Sequence, residues 1–297
     1  MSTHIFRHLR MALRQLNPAS VREAAERPVT VGLFATSDEA YAWMEEWFAP
    51  AELPVEERRR VLAHVFRATE PGAPERFDVE VSEEGLSLSN GTVPFIPDAP
   101  ERTVEGIVRR HKDLRLPLAR QFPRFRRAVA ESLILETAKE NALFALLAAT
   151  PRLFPRLASL VWPPEEELLS ETAFMTVNEI RLAFLMAAVY GRPVGYVEQK
   201  TEIALVIAAA FLWRELARRA AERAPKALAQ ASKSGIAAAG TYAVGATLRR
   251  CYAAERGLEE GQAAAALEET FQHGANLAGP LLGEKEPAVR IPAAPAE

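Results

Sequence analysis

Three observations predict a mainly α-helical chain, with a small N-terminal α/β domain followed by a multi-helix, alanine-rich bundle. Residues 174–252 read as three consecutive helices, residues 128–150 repeat apolar side chains at helical spacing, and residues 28–97 mix short apolar runs with turn residues. The 297 residues allow one large or two modest domains, and 49% hydrophobic with 25% charged residues is ordinary globular composition. The expected organisation is a basic amphipathic helix in 1–24, an α/β domain in 25–100, a helical domain in 101–283 with its core in 174–252, and a Pro/Ala tail in 284–297 too poor in apolar residues to order.

The first segment places Ile5, Phe6, Leu9, Leu13 and Leu16 at helical spacing beside Arg7, Arg10 and Arg14, with no acid before Glu23. Such a helix suits an anionic membrane surface. An Arg-rich, acid-poor leader also fits a transit peptide, and an ordinary helix docked on the domain fits equally.

In the next domain, Val29 to Phe34 is a strand candidate, Asp38 to Phe48 a helix, and Arg76 to Val81 with Leu86 to Leu88 alternate like the arms of a hairpin, with Asn90-Gly91 as a turn signal. A strand, a turn and a helix invite comparison with a nucleotide-binding fold. The chemistry is missing: a P-loop needs a glycine-rich turn whose N–H groups cradle phosphates and a Gly-Lys-Ser/Thr ending. Here the loop is Ala35, Thr36, Ser37, Asp38, with no Gly-Lys pair, no N-K-x-D and no D-x-x-G. Asp38 would put an acid where a phosphate should sit, so the domain is expected to bind no nucleotide.

Residues 106–127 carry Arg109, Arg110, Lys112, Arg115, Arg120, Arg124, Arg126 and Arg127 against the single acid Asp113, with Phe122 and Phe125 interleaved. The run is a candidate contact for phosphates of nucleic acid or lipid. It reads equally as a solvated helix face or as partners for acids such as Glu165 to Glu167. The formal net charge of -3 makes nucleic acid the weaker partner.

A long helix over residues 128–150 ends at Pro151. Residues 152–164 are apolar enough for another helix or a membrane-touching loop, with burial the plainer choice. In the core, Ile203 to Trp213 is apolar on every side and is therefore expected to be buried. The next helix holds Gly235, Gly240 and Gly245 among alanines, which fits close approach to a neighbouring helix. Arg181, Glu202 and Arg214 are expected to meet between packed helices as a buried ionic network. The longest stretch without a charge, Ser234 to Leu248, reaches roughly 22 Å at the helical rise, short of a bilayer core. A last helix is expected over residues 258–273.

The residues Asn178, Arg181, Ala187, Ala188, Tyr190, Gly191, Arg192, Pro193, Glu198, Gln199, Glu202, Phe211 and Arg214, with Ile236, Ala237, Gly240, Thr241, Tyr242, Gly245 and Tyr252, form a recognisable series. It resembles the family catalogued as domain of unknown function 697, most tellingly in Gly240-Thr241-Tyr242 followed by Gly245. Similarity extends back to about residue 114. The family is bacterial and chloroplast, often sits behind an Era-like GTPase domain and includes YcjF-type inner-membrane proteins. The resemblance implies a GTPase or other protein partner and a place at the inner face of a membrane. It carries over no catalytic residue, because the family's activity is undefined. This chain departs from it in having no glycine in residues 225–234, Ala238 where tyrosine is common, and no spanning helix.

No catalytic, cofactor or metal constellation emerges: His4, His8, His64, His111 and His273 are scattered, and no H-E-x-x-H, zinc spacing, G-x-S-x-G or S-x-x-K occurs. One cysteine, Cys251, excludes an internal disulfide framework and fits a reducing compartment such as the cytoplasm. The expected function is a non-enzymatic interaction module, acting with a partner GTPase or peripherally on an anionic membrane. Nucleic-acid binding through 109–127 and an enzyme with a site between the core helices are the alternatives, and no small-molecule substrate is identified.

Overall fold

Buried on both faces, the short strands of a parallel sheet are built from apolar runs rather than from strict alternation. That is how β1 (Val31–Phe34) is built, with Val31 and Leu33 fully buried. The computed structural model describes residues 16–86, 91–149, 167–223, 229–254, 265, 266 and 272. The chain forms two compact units, one of Ser20–Glu131 with Ala188–Pro193, the other of Met1–Ala19, Ser132–Ala187 and Val194–Glu297.

The first unit opens with α1 (Pro18–Glu26), β1, α2 (Asp38–Phe48), α3 (Val55–Leu62) and β2 (Val65–Arg67). It continues with β3 (Val79–Ser82), β4 (Val93–Pro94), α4 (Pro100–Arg110) and α5 (Arg115–Gln121). The strands pair in the order β2-β1-β3-β4, all parallel, with Val31 opposite Val65 and Val79. Both neighbours of β3 are parallel strands, whereas the second arm and turn of the expected hairpin reach into residues 87–90, outside the described residues. Alternation such as Val79-Glu80-Val81 reports which face is solvated, not the direction of the partner strand. Two carboxylates fix the pairing instead. Asp78 accepts Thr30 N–H at 2.9 Å and Thr30 Oγ1–H at 3.0 Å at one end of β1, and Glu83 accepts Thr36 N–H at 2.9 Å and Thr36 Oγ1–H at 2.7 Å at the other.

Ser37 caps α2 by accepting Ala40 N–H at 3.2 Å, and the helix buries Tyr41, Met44, Trp47 and Phe48 at helical spacing. Phe122 and Phe125 close the same core, with ring centroids 5.5 and 6.1 Å from Phe48. Gln121 accepts Val29 N–H and donates to the Arg27 carbonyl, while Thr103 receives Ile96 N–H at 2.9 Å. Residues 101–131 thus belong with the sheet, and the boundary expected at residue 100 lies near residue 131. Aromatic rings in a basic run are what the sequence reading assigned to the wrong side.

The second unit takes most of α6 (Arg126–Ala149), α7 (Glu167–Val189), α8 (Lys200–Arg223) and α9 (Ala229–Ala253), so mainly α describes the fold. Small residues let α9 come close to its neighbours. A Cβ on Gly240 would stand 2.8 Å from the Trp213 ring of α8, and one on Gly245 would stand 2.7 Å from Ile134 of α6 and 3.1 Å from Leu182 of α7. One face of α8 departs from expectation: Ala204 is exposed and Phe211 is 60% exposed, while Leu205, Val206, Ala209 and Trp213 are buried. No helix among the described residues is long and apolar enough to cross a membrane. The helix expected over 258–273 lies almost wholly outside the described residues, as do the expected segments 152–164 and 284–297.

Candidate functional site

Open α/β sheets bind ligands beyond the carboxyl ends of their strands, where the strand order reverses. In β2-β1-β3-β4 that point lies between β1 and β3. The loop after β1 presents Thr36 N–H and Oγ1–H there, and Glu83, just after β3, takes both. Those two bonds, the hydroxyl's first, hold the Glu83 carboxyl below its ordinary range. The chain's own carboxylate thus occupies the anion-accepting corner. Asp38, the residue expected to play that part, is instead 97% exposed and reaches Arg67 at 3.4 Å. Its side chain leaves the loop because it starts α2 and points outward.

The basic run is largely spent within the first unit. Arg120 pairs with Glu26 at 3.6 Å, Arg126 with Glu57 at 3.5 Å and Arg127 with Glu131 at 3.2 Å. Arg124 lies over the Trp47 ring, and Arg110 donates to the Thr92 carbonyl. The acids met among the described residues are Glu26, Glu57 and Glu131, and the expected partners at 165–167 lie outside the described side chains. Arg124 and Arg127 stay exposed beside these partners, and Arg109, Arg110 and Lys112 are exposed around His111, whose Nε2 is buried without a hydrogen-bond partner among the described residues. Burial pushes the His111 pKa down, so it adds no charge to this patch near neutral pH. Arg7, Arg10 and Arg14 lie outside the described residues. The segment that follows them is held where the Tyr196 hydroxyl donates to the Leu16 carbonyl at 2.8 Å.

In the second unit, four polar side chains from three helices form one chain, buried at Asn141, Thr241 and Glu179 and half-buried at Asn178. Asn178 Nδ2 of α7 donates to Asn141 Oδ1 of α6 at 2.9 Å, Asn141 Nδ2 donates to Thr241 Oγ1 of α9 at 2.9 Å, and Thr241 Oγ1–H donates to Glu179 Oε1 of α7 at 2.8 Å. Every bond is oriented toward the Glu179 carboxyl. Glu179 is buried, and that burial, opposed in part by the Thr241 hydroxyl, raises its pKa to about 7.

A second cluster ties the start of α8 to the end of α9. Tyr252 donates to Glu202 Oε1 at 3.0 Å, and Gln199 Oε1 accepts Gly195 N–H at 2.9 Å. Burial, then the Glu202 charge, pushes the Tyr252 pKa up. Of the expected Arg181–Glu202–Arg214 network, Arg181 takes no part among the described side chains. Arg181 is exposed, because it follows Glu179 by two residues and so points roughly 200° around the helix from the buried face. The Arg214 side chain lies outside those described, and Glu202 meets a tyrosine instead.

Of the expected core motif, Asn178 and Thr241 join the relay, Glu202 joins the second cluster, Gly240 and Gly245 make the close contacts, and Tyr242 is half-buried. Glu179 was missed. A buried glutamate carries no local mark, although the polar positions Thr137 and Asn141, four apart on α6, signal a wet seam in an otherwise apolar helix. Cys251 is half-exposed. Among the described residues, no group of three or more His, Cys, Asp or Glu is placed to hold a metal. No family model, no curated protein and no solved structure matches this chain.

Proposed function

We propose that the protein is a non-enzymatic interaction module that holds a protein partner through the uncovered apolar face of α8. The observation that carries this reading is Phe211, 60% exposed on a helix that buries Leu205, Val206, Ala209 and Trp213. A large apolar side chain left in water on a core helix costs the folded chain burial energy, and contiguous faces of this kind mark interaction sites. Leu135, Leu143 and Phe174, exposed on α6 and α7, widen the apolar surface of the same unit. The perturbed carboxyl, Glu179, is enclosed by side chains rather than turned to a solvent-filled cleft, which favours contact over catalysis. A GTPase is the partner class that the core's resemblance to the domain of unknown function 697 family supports.

Capture from a native extract with the whole chain and with Phe211→Glu tests this. The substitution faces water and leaves the core intact. The expected result is a nucleotide-hydrolysing partner retained by the parent chain and lost from the variant. Identical captures by the two chains would overturn the reading.

A further inference from the structure

We propose that Glu179 is a proton-binding site that gates the seating of α9: with its carboxyl protonated, α9 stays docked on α6 and α7, and loss of that one proton loosens it. The geometry carries the argument. The carboxyl sits at the acceptor end of a relay that draws one residue from α6, one from α9 and two from α7, so the bond between α7 and α9 ends on the group that ionises.

Among the described residues, no cation offsets a charge there. Thr241 faces the carboxyl from α9, and behind that hydroxyl stand Asn141 of α6 and Asn178 of α7. The titratable residues of the surrounding helices lie elsewhere among the described side chains. Lys139 and Glu140 of α6, Arg181 of α7 and Arg250 of α9 are exposed; Glu136, Tyr242, Arg249 and Cys251 are half-buried; and Glu202 of α8 is taken by Tyr252. Burial and the Thr241 hydroxyl are the influences that act on Glu179, with no charged neighbour among them.

An ionised carboxylate in such a place needs water. The packing beside it leaves little room, because Gly240 and Gly245 press α9 onto Trp213, Ile134 and Leu182 with gaps that would not hold a methyl group. Hydrating the charge therefore requires α9 to shift away. The proton goes to bulk water, and Thr241 keeps its bond to the carboxylate or exchanges it for solvent. Because the docked carboxyl titrates at about 7 against an ordinary 4.5 in the loosened state, opening rises roughly thirty-fold between pH 5.5 and 8.5 by linkage.

The test is hydrogen exchange of the α9 amides in the whole chain at those two pH values, corrected for the intrinsic rate. The expected result is the thirty-fold rise in the parent and a change within about two-fold in Glu179→Gln, which keeps the acceptor for Thr241 but cannot ionise. A rise of the same size in Glu179→Gln, or none in the parent, overturns the proposal. Infrared spectroscopy of the parent gives a reading that needs no variant to fold. The band of a water-shielded protonated carboxyl should be present at pH 5.5 and lost by pH 8.5, and a band that is absent at the lower pH or persists at the higher one overturns it as well.

Discussion

Replacing Gly245 with alanine sets two known effects against each other, and the packing decides the sign. Alanine in a helix interior is favoured over glycine by about 1 kcal/mol, so an exposed site would gain stability. At Gly245 the new methyl would stand 2.7 Å from Ile134 Cγ1, 2.9 Å from its Cγ2 and 3.1 Å from Leu182 Cδ2. Carbon atoms prefer separations of ~3.5 to 4.0 Å, so the overlap is more than half an ångström on two atoms at once. Ile134 is β-branched and buried, and moving one of its γ carbons away drives the other in. Overpacking of this kind costs about 1 to 3 kcal/mol, and with both γ carbons engaged the upper part of that range applies. The net expectation for Gly245→Ala is a loss of about 1 to 2 kcal/mol once the helix preference is subtracted. Urea denaturation of the parent, the two single variants and the double variant with Ile134→Ala measures it, and removing both γ carbons should return part of the loss as a coupling energy. If Gly245→Ala is as stable as the parent or more so, α9 is not packed as described.

Glu179 has a folded pKa raised from 4.5 to about 7, so its native form binds more protons than the unfolded chain between those values, and stability falls as pH rises through that window. The contribution is about 3 kcal/mol, present in full below pH 4.5 and gone above pH 7. Glu179→Gln should flatten that slope in pH-dependent denaturation, and an unchanged slope would assign it to other groups. Calorimetry with GTP or ATP and magnesium should show no heat of binding, since Glu83 already holds the Thr36 donors; micromolar affinity would refute this. Sedimentation with anionic vesicles compares the whole chain with one beginning at Ser20. Salt-sensitive binding lost with residues 1–19 is expected, whereas equal binding by both would move the contact to Arg109, Arg110 and Lys112.

What could be read in the sequence was what is decided locally. The α2 boundaries, Asp38 to Phe48, agree with the structure because Ser37, two acids and an apolar stripe all lie within one stretch. The partner of β3 is β1, whose clamping threonine lies 48 residues from Asp78, and nothing near Val79 says so. The glycines of α9 announced close packing, but not that Trp213 and Ile134 are what they meet. Ile203 to Trp213 misled because apolarity on every side was taken as burial, whereas the Phe211 face stays in water. Glu179 was invisible for the opposite reason. What buries it is the small-residue face of α9, sixty-two positions further along.

The two carboxylate clamps on β1 bear on how faithfully the sheet assembles. A strand apolar on both faces fits its neighbour almost as well after sliding one position, because the pattern that would penalise the slip is weak. Val31, Gly32, Leu33 and Phe34 form such a strand. Asp78 and Glu83 act as keys cut for one alignment. Each meets a threonine hydroxyl and the amide beside it, and sliding β3 by a residue would withdraw both acids together, bringing Phe77 or Val79 to Thr30 and Ser82 or Glu84 to Thr36. Their energetic weight as exposed or half-exposed bonds is modest, so their absence would be felt less in how firmly the chain folds than in how many alignments it populates. The sheet, though small, is proofread at both ends.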